Sequence, residues 1–140
     1  MALPVLVAAK RLARRSGWAL SNLALQKILY LAHMFFLGRT GQPLVSGNFE
    51  AWDYGPIHPT LYHFVKMFGS SPVENVFHSV PDAPDGPEAA IIDEAFDGLG
   101  SALPGQLVAA THRQGGAWEI HYVPGTHHVV IPNEAIAAEY

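Results

Sequence analysis

The stretch NLALQKILYLAHMFFLGRTG, residues 22–41, decides the fold. Its apolar side chains recur at helical spacing and cover one side broadly, and Ser21 or Asn22 can cap its first turn. Gly38 is the expected end of the helix. A helix that is apolar over so much of its circumference usually lies at the centre of a domain. The residues that carry this pattern are Leu25, Ile28, Leu29, Leu31, Ala32, Met34, Phe35 and Phe36.

Three polar side chains interrupt this apolar surface. Gln26, Tyr30 and His33 lie at positions i, i+4 and i+7, so they form one stripe along the helix. Such a stripe either hydrogen-bonds to neighbouring elements in the interior or binds a partner. The sequence alone leaves both interpretations open.

Shorter elements surround the central helix. Proline, glycine and capping residues mark helices at residues 4–16, 88–99 and 106–111, another beginning at Pro59, and a last one capped by Asn133. Residues 69–87 are rich in proline, serine, glycine and aspartate and are predicted to be a surface loop. By length, residues 1–140 are expected to form a single domain. The predicted fold class is mainly α (α+β), a compact helical domain around a central apolar helix with a few short β-strands.

Three segments are predicted to be strands. Residues 49–54 alternate in polarity up to Gly55 and Pro56, which are expected to end the strand. Residues 121–123 and 128–131 are the other candidates. Because a lone strand leaves its backbone groups unpaired, we expect residues 49–54 to pair with residues 127–131.

The segment EAWDYGPIHPTLYHFVKMFG, residues 50–69, is either an active-site loop or a packing joint. Large aromatic residues and prolines fix the direction of the chain and fill volume, which favours a joint. A catalytic loop also needs a poised nucleophile or base with partners, and none is visible. We therefore expect Trp52 to be buried against the helix that carries Phe35 and Phe36.

Composition and charge exclude several classes of protein. The net charge is −4 and only 14% of residues are charged, which argues against a nucleic-acid binder that depends on phosphate contacts. Without cysteine there is no disulfide and no thiolate metal site. The most apolar run, residues 23–37, is too short to span a membrane. These features indicate a cytoplasmic protein with no membrane partner.

Catalytic motifs are lacking in the sequence. It contains no nucleophile elbow, no SxxK and no phosphate-binding glycine loop. His58 and His63 are five residues apart and so lie on different helix faces. Glu50, Asp53 and His58 could still converge, so a small metal-assisted hydrolase stays an alternative. The favoured interpretation is a protein that is not an enzyme and has no cofactor.

The first helix carries a basic face. Lys10, Arg11, Arg14 and Arg15 lie largely on one side of it. Such a face is usually solvated, and it also fits the C-terminal end of the helix dipole. A DNA-contacting or acidic-partner surface is the alternative, although the acidic balance of the chain does not favour DNA.

The combined motifs resemble the Panacea domain, the family of the SocA-like antitoxins. The helical pattern N-x-x-LQK-x-LY-x-A, the strand and turn EAW-x-YGP, and a helix that starts with proline are all present, and a downstream pattern follows. The matching residues are Asn22, Leu25, Gln26, Lys27, Leu29, Tyr30, Ala32, Glu50, Ala51, Trp52, Tyr54, Gly55, Pro56, Pro59, Tyr62, Thr111, His112, Trp118, Ile131, Glu134 and Ile136.

The resemblance implies an antitoxin of a bacterial toxin–antitoxin system. Such a protein binds and neutralises a cognate protein toxin, either by masking it or as a proteolytic adaptor that delivers it to the ClpXP protease. The metal-assisted hydrolase and a DNA-binding autoregulator remain the alternatives.

A binding protein of low charge is expected to expose an apolar or aromatic patch. Aromatic side chains dominate the energetics of interfaces, so the candidates lie on the central helix and around the turn. The predicted partner-binding residues are Tyr30, His33, Tyr54, His58, Tyr62 and His63. The competing interpretation places Tyr54 and Tyr62 in the core.

Overall fold

The computed structural model describes residues 2–126 and 128–140. Within these ranges it contains seven α-helices and one two-stranded β-hairpin, which confirms the mainly α class. A 3₁₀ turn, Lys66–Phe68, follows the third helix. The elements are α1 (Val5–Arg15), α2 (Asn22–Thr40), β1 (Glu50–Trp52), β2 (Gly55–Ile57), α3 (Pro59–Val65), α4 (Pro87–Leu99), α5 (Pro104–Thr111), α6 (Ala117–His121) and α7 (Asn133–Glu139).

Helix α2 is the centre of the fold, as predicted. It contacts α1, α3, α4, α5, α7 and β2, and Leu25, Ile28 and Leu29 are fully buried. Ser21 caps its start, because the Ser21 hydroxyl accepts a hydrogen bond from the Ala24 amide at 3.2 Å. The apolar circumference of the helix is thus covered by neighbours on nearly every side.

The predicted end of α2 at Gly38 is wrong. The helix continues to Thr40 and ends at Gly41, which adopts the left-handed conformation with φ 74°. Gly38 lies inside the helix, where a Cβ atom would overlap the ring of Tyr140. The glycine therefore makes room for an aromatic ring and does not terminate the helix.

The strand prediction for residues 49–54 captured only half of a hairpin. Strands β1 and β2 pair antiparallel, with Glu50 opposite Ile57 and Trp52 opposite Gly55. Gly55 and Pro56 were expected to end the strand. They instead begin the second strand of the hairpin, because the turn lies just before them, at residues 53–54. Gly55 has φ 103°, which favours glycine.

The predicted pairing of residues 49–54 with residues 127–131 is confirmed only as a single antiparallel bridge between Glu50 and Val130, and the predicted strand at residues 128–131 is wrong, since no regular strand forms there. The Ala51 amide donates to the Val129 carbonyl at 2.9 Å, and the Ile131 amide donates to the Phe49 carbonyl at 2.9 Å. His127, which belonged to the predicted segment, lies outside the described residues.

The predicted strand at residues 121–123 is wrong. His121 is the last residue of α6, and the Tyr122 amide donates to the Trp118 carbonyl at 2.8 Å. The Glu119 carboxylate accepts from the Gly115 amide at 2.9 Å and so stabilises the start of this short helix. These local hydrogen bonds outweigh the β propensity of tyrosine and valine.

Residues 70–86 form a loop, as predicted, but it is anchored to the core. Val73 and Phe77 are fully buried, and the Val73 amide donates to the Leu20 carbonyl at 2.8 Å. Across residues 2–126 and 128–140, none of the helices has the length and apolar character needed to cross a bilayer.

The basic face of α1 lies against acidic residues of α4 and of the loop before it. Arg11 forms a bidentate ion pair with Asp93, with N–O distances of 2.9 and 2.6 Å. Arg15 forms a second bidentate ion pair with Asp97. Lys10 and Arg14 both reach Asp82 at 3.0 Å. Because these cations are neutralised within the chain, this face offers little net positive charge to DNA.

Candidate functional site

Two polar side chains of α2 hold the β-hairpin. The Gln26 amide bonds both backbone groups of His58, accepting from its N–H at 2.8 Å and donating to its carbonyl at 3.3 Å. The Lys27 ammonium donates to the Tyr54 carbonyl. Both side chains are buried. The prediction that Gln26 hydrogen-bonds to a neighbouring element in the interior is therefore confirmed. Lys27, the next residue, also hydrogen-bonds to the backbone of this segment.

Lys27 carries a charge into the interior. Burial lowers its pKa to about 8, because a buried ammonium loses the stabilisation that water provides. Gly55 allows the close approach, since a Cβ atom there would collide with the Lys27 ammonium and lie 2.6 Å from His112 Nε2. The LQK motif of α2 (residues 25–27) therefore packs directly against the YGP motif of the hairpin (residues 54–56), and we call this the packed contact.

The rest of the α2 polar stripe binds the C-terminal helix. The Tyr30 hydroxyl donates to Glu139 Oε1 at 3.0 Å, and burial, reinforced by Glu139, raises the Tyr30 pKa. His33 Nδ1 accepts from the Val45 amide at 3.3 Å, so Nε2 carries the proton donated to Asn133 Oδ1 at 2.9 Å. Burial lowers the pKa of His33 and keeps it neutral.

His58 is also buried and also lies against Phe49. Its Nε2 lies 2.9 Å from the Ser46 carbonyl, which can only accept, so Nε2 donates. Its Nδ1 has no hydrogen-bond partner among the described residues, and burial lowers its pKa. The rings of His33 and His58 both lie 5.3 Å from the Phe49 ring. Of the six predicted partner-binding residues, Tyr30, His33 and His58 thus face the interior.

The other three predicted residues lie at the surface. Tyr54, at the hairpin turn, is 58% exposed, and His63 is exposed beside Tyr62, with ring centroids 5.6 Å apart. Tyr62 is half-buried, and its ring meets the edge of the Trp52 ring at 4.9 Å. Trp52 itself is buried, as predicted. The ring of Phe35, which was named with the helix expected to cover Trp52, lies against Tyr140.

Tyr54 and Tyr62 line a groove of about 390 Å³, which we call the tyrosine groove. That volume is within the range of ligand-binding clefts. Leu23, an apolar residue off the core-facing side of α2, is 37% exposed on its wall. Neither Leu23 nor Lys66 was predicted as a site residue from the sequence. For Leu23 a signal was present, because an apolar residue outside the buried stripe of a helix indicates a surface contact. The lining residues are Asn22, Leu23, Tyr54, Ile57, Tyr62, Lys66, Gly69 and Ser70.

A smaller pocket of about 40 Å³ adjoins the groove and shares Leu23 with it. It lies between the start of α2 and the start of α5. Lys27 forms part of its wall. The remaining lining residues are Ser21, Ala24, Pro104 and Leu107.

An aromatic stack also supports the hairpin. The rings of His112 and Trp118 stack at 3.9 Å, and those of Trp118 and Tyr122 at 4.5 Å. Trp118 Nε1 donates to the Trp52 carbonyl at 2.8 Å, and the Tyr122 hydroxyl donates to Asp53 at 2.6 Å. The turn that presents Tyr54 is therefore fixed on two sides.

The residues of the metal hypothesis are spread over different contacts. Glu50 accepts from Trp52 Nε1 at 2.9 Å, Asp53 accepts from Tyr122, and His58 bonds Ser46. In residues 2–126 and 128–140, no three His, Asp or Glu side chains are grouped closely enough to hold a metal ion.

Comparison with known proteins assigns the family. Residues 25–84 match the family described as antitoxin SocA-like, Panacea domain. The chain carries a SocA-like Panacea domain. It is also 39% identical over 113 residues to Antitoxin SocA of Caulobacter vibrioides (strain NA1000 / CB15N). The match covers 72% of this chain but only 59% of that relative. No solved structure matches the chain.

The matched residues of the Panacea domain contain the packed contact and most of the residues that line the groove. The bonds from Gln26 to His58 and from Lys27 to Tyr54 lie within residues 25–84, as do Tyr54, Tyr62 and Lys66. Leu23 lies just before the matched residues. The family motif therefore coincides with the framework of the hairpin, and the groove is built on that framework.

Proposed function

We propose that the protein is an antitoxin that binds a cognate protein toxin through the tyrosine groove and neutralises it without catalysis. The observation that carries the proposal is the Panacea domain, together with the 39% identity to a relative named Antitoxin SocA. Since the chain spans only about 59% of that relative, the role of the relative enters here as a proposal. A toxin made in the same cell would place the complex in the cytoplasm.

The groove supports a binding role because its aromatic side chains are presented by a fixed backbone. Tyr54 is held by the bond from Lys27 to its carbonyl, and Tyr62 is held against Trp52. A backbone that is already fixed loses less conformational freedom when a partner binds. Tyrosine is also among the residues enriched at interface hot spots.

The test begins with the adjacent reading frame. Its product, expressed from an inducible promoter, is expected to stop growth, and co-expression of this chain is expected to restore it. Direct association of the two purified proteins should accompany rescue. A product that is harmless, or that stays toxic in the presence of this chain, refutes the proposal.

The groove itself is tested with Tyr54→Ala. We expect the variant to bind the toxin more weakly by about 2 kcal/mol while its melting temperature stays close to that of the native chain. Ile120→Ala is the control, since Ile120 is 67% exposed and lies away from the groove. Equal rescue by both variants would place the toxin on another surface.

Masking and proteolytic delivery are two modes of neutralisation. If the chain delivers the toxin to ClpXP, the toxin's half-life in cells should shorten when the chain is present and recover when the protease is deleted. If the chain only masks the toxin, the half-life should not shorten. A pulse-chase measurement with and without the protease separates the two modes.

A further inference from the structure

The chain contains eight lysine and arginine residues, and most of them are paired with acids. Within residues 2–126 and 128–140, Lys27 and Lys66 are the two that form no ion pair with a carboxylate. The six paired cations are Lys10, Arg11, Arg14, Arg15, Arg39 and Arg113.

Lys66 is exposed, whereas Lys27 is buried, but both residues line neighbouring cavities. Lys66 lines the tyrosine groove, and Lys27 lines the small pocket that shares Leu23 with it. No aspartate or glutamate is among the described residues that line either cavity. In a chain with twelve acidic residues and a net charge of −4, this surface is locally positive.

We infer that the tyrosine groove takes an acidic segment of the protein partner, whose apolar side chains fill the groove while a carboxylate pairs with Lys66. This inference rests on the proposed function, since it specifies the partner of the same groove. Lys66 is exposed and follows α3, so a docked carboxylate can reach it without rearrangement of the core.

A protein segment fits this surface better than nucleic acid. The groove offers Leu23 and the rings of Tyr54 and Tyr62 to apolar side chains, and Lys66 is the one exposed cation among its lining residues. Nucleic-acid binding requires several cations for successive phosphates. The overall negative charge of the chain would further oppose it. An acidic segment needs only one well-placed cation beside an apolar floor.

The test uses selection from a library of random linear peptides displayed on phage, with the purified chain as bait. We expect the selected peptides to combine Asp or Glu with Leu, Phe or Trp. Selection of neutral or basic peptides, or of none, overturns the inference. Binding of single-stranded DNA with higher affinity than the best peptide overturns it as well.

Two single-charge variants then test the ion pair with the best selected peptide. Lys66→Gln should weaken peptide binding about tenfold, and Lys66→Arg should restore it to within about threefold of the native chain. Gln114→Glu is the matched control, since it changes the net charge by the same amount at an exposed position away from the groove. Equal weakening by Lys66→Gln and Gln114→Glu would show a general charge effect and overturn the inference.

The two proposals can fail separately. Peptide selection does not use the toxin, and growth rescue does not use a peptide. Rescue without acidic peptides would keep the antitoxin and reject the acidic segment. Acidic peptides without rescue would keep the groove chemistry and reject the antitoxin.

Discussion

Gln26 and His58 are joined through both ends of one side-chain amide, which accepts the His58 N–H at 2.8 Å and donates to the His58 carbonyl at 3.3 Å. The two residues are 32 positions apart, and Gln26 is fully buried. The Gln26 side chain thus supplies hydrogen-bond partners for the backbone of His58, the residue just before α3. These bonds fix the position at which α3 begins.

Gln26→Leu should lower the free energy of unfolding by about 2–4 kcal/mol. The substitution leaves a buried N–H and a buried carbonyl without partners, and each such loss costs about 1–3 kcal/mol. Guanidinium unfolding followed by circular dichroism measures the difference. Gln42→Leu, at an exposed position, is the control and should change stability little. Equal midpoints for the two variants would contradict the assigned role.

Lys27 should make the protein more stable as the pH rises from 8 to 10. In this interval folded Lys27, with a pKa of about 8, has lost its proton, whereas unfolded Lys27, with the ordinary value of 10.5, keeps it. The unfolded chain therefore binds more protons, so the free energy of unfolding rises with pH. The full effect between the two pKa values is about 3 kcal/mol.

Lys27→Met should remove that rise, because the variant has no proton to lose. Urea unfolding at several pH values between 8 and 10 measures it. Above pH 10 Tyr30 acts in the opposite direction, since its pKa is raised and the unfolded tyrosine loses its proton first. A native profile that is flat between pH 8 and 10 would show that Lys27 is not buried as a cation.

His33 and His58 should make the protein sensitive to mild acid. Burial lowers the pKa of both, so the folded state keeps them neutral while the unfolded chain protonates near the ordinary value of 6.5. As the pH falls through 6.5, the unfolded state takes up protons that the folded state does not. The free energy of unfolding should then fall by at most about 1.4 kcal/mol per pH unit for each histidine.

The acid effect is tested with His33→Gln and His58→Gln, measured by urea unfolding from neutral pH down to pH 5. Each variant is expected to be less stable at neutral pH but to show a shallower decline. If the slopes of the native chain and the double variant coincide, the acid sensitivity originates elsewhere.

Trp52→Ala should lower stability by about 3–5 kcal/mol, because it removes a large side chain that is only 5% exposed. The loss also removes the support of Tyr62, whose ring lies 4.9 Å away. Thermal denaturation measures it, with Tyr54→Ala as an exposed aromatic control. A Trp52→Ala variant that melts with the native chain would place this side chain in the binding surface.

Elements with a local signal were predictable from the sequence. Residues 22–41 show helical periodicity, and Ser21 and Pro59 mark helix starts by their own chemistry. The hairpin was only half predicted because Gly55 and Pro56 usually interrupt strands, whereas here Gly55 supplies a positive φ after a two-residue turn. The turn residues, Asp53 and Tyr54, carry no strong turn signal.

The candidate site was harder to predict because burial depends on distant partners. Tyr54 and Tyr62 were selected as aromatic candidates, and both line the groove. Tyr30, His33 and His58 have the same residue types but lie in the interior, with partners 12 to 109 positions away. Nothing local distinguishes an aromatic residue that meets such a partner from one that meets solvent.

The contact of α7 with α2 bears on how the protein is made. Tyr30 can form its hydrogen bond only after Glu139, 109 positions later, has been synthesised. His33 likewise needs Asn133, 100 positions later. At about 5–20 residues per second, synthesis of that interval takes on the order of 5–20 s. The bonds from α2 to α7 therefore form only after residues 133–139 have been synthesised. Each new molecule completes this side of its core some seconds after the central helix itself has been made.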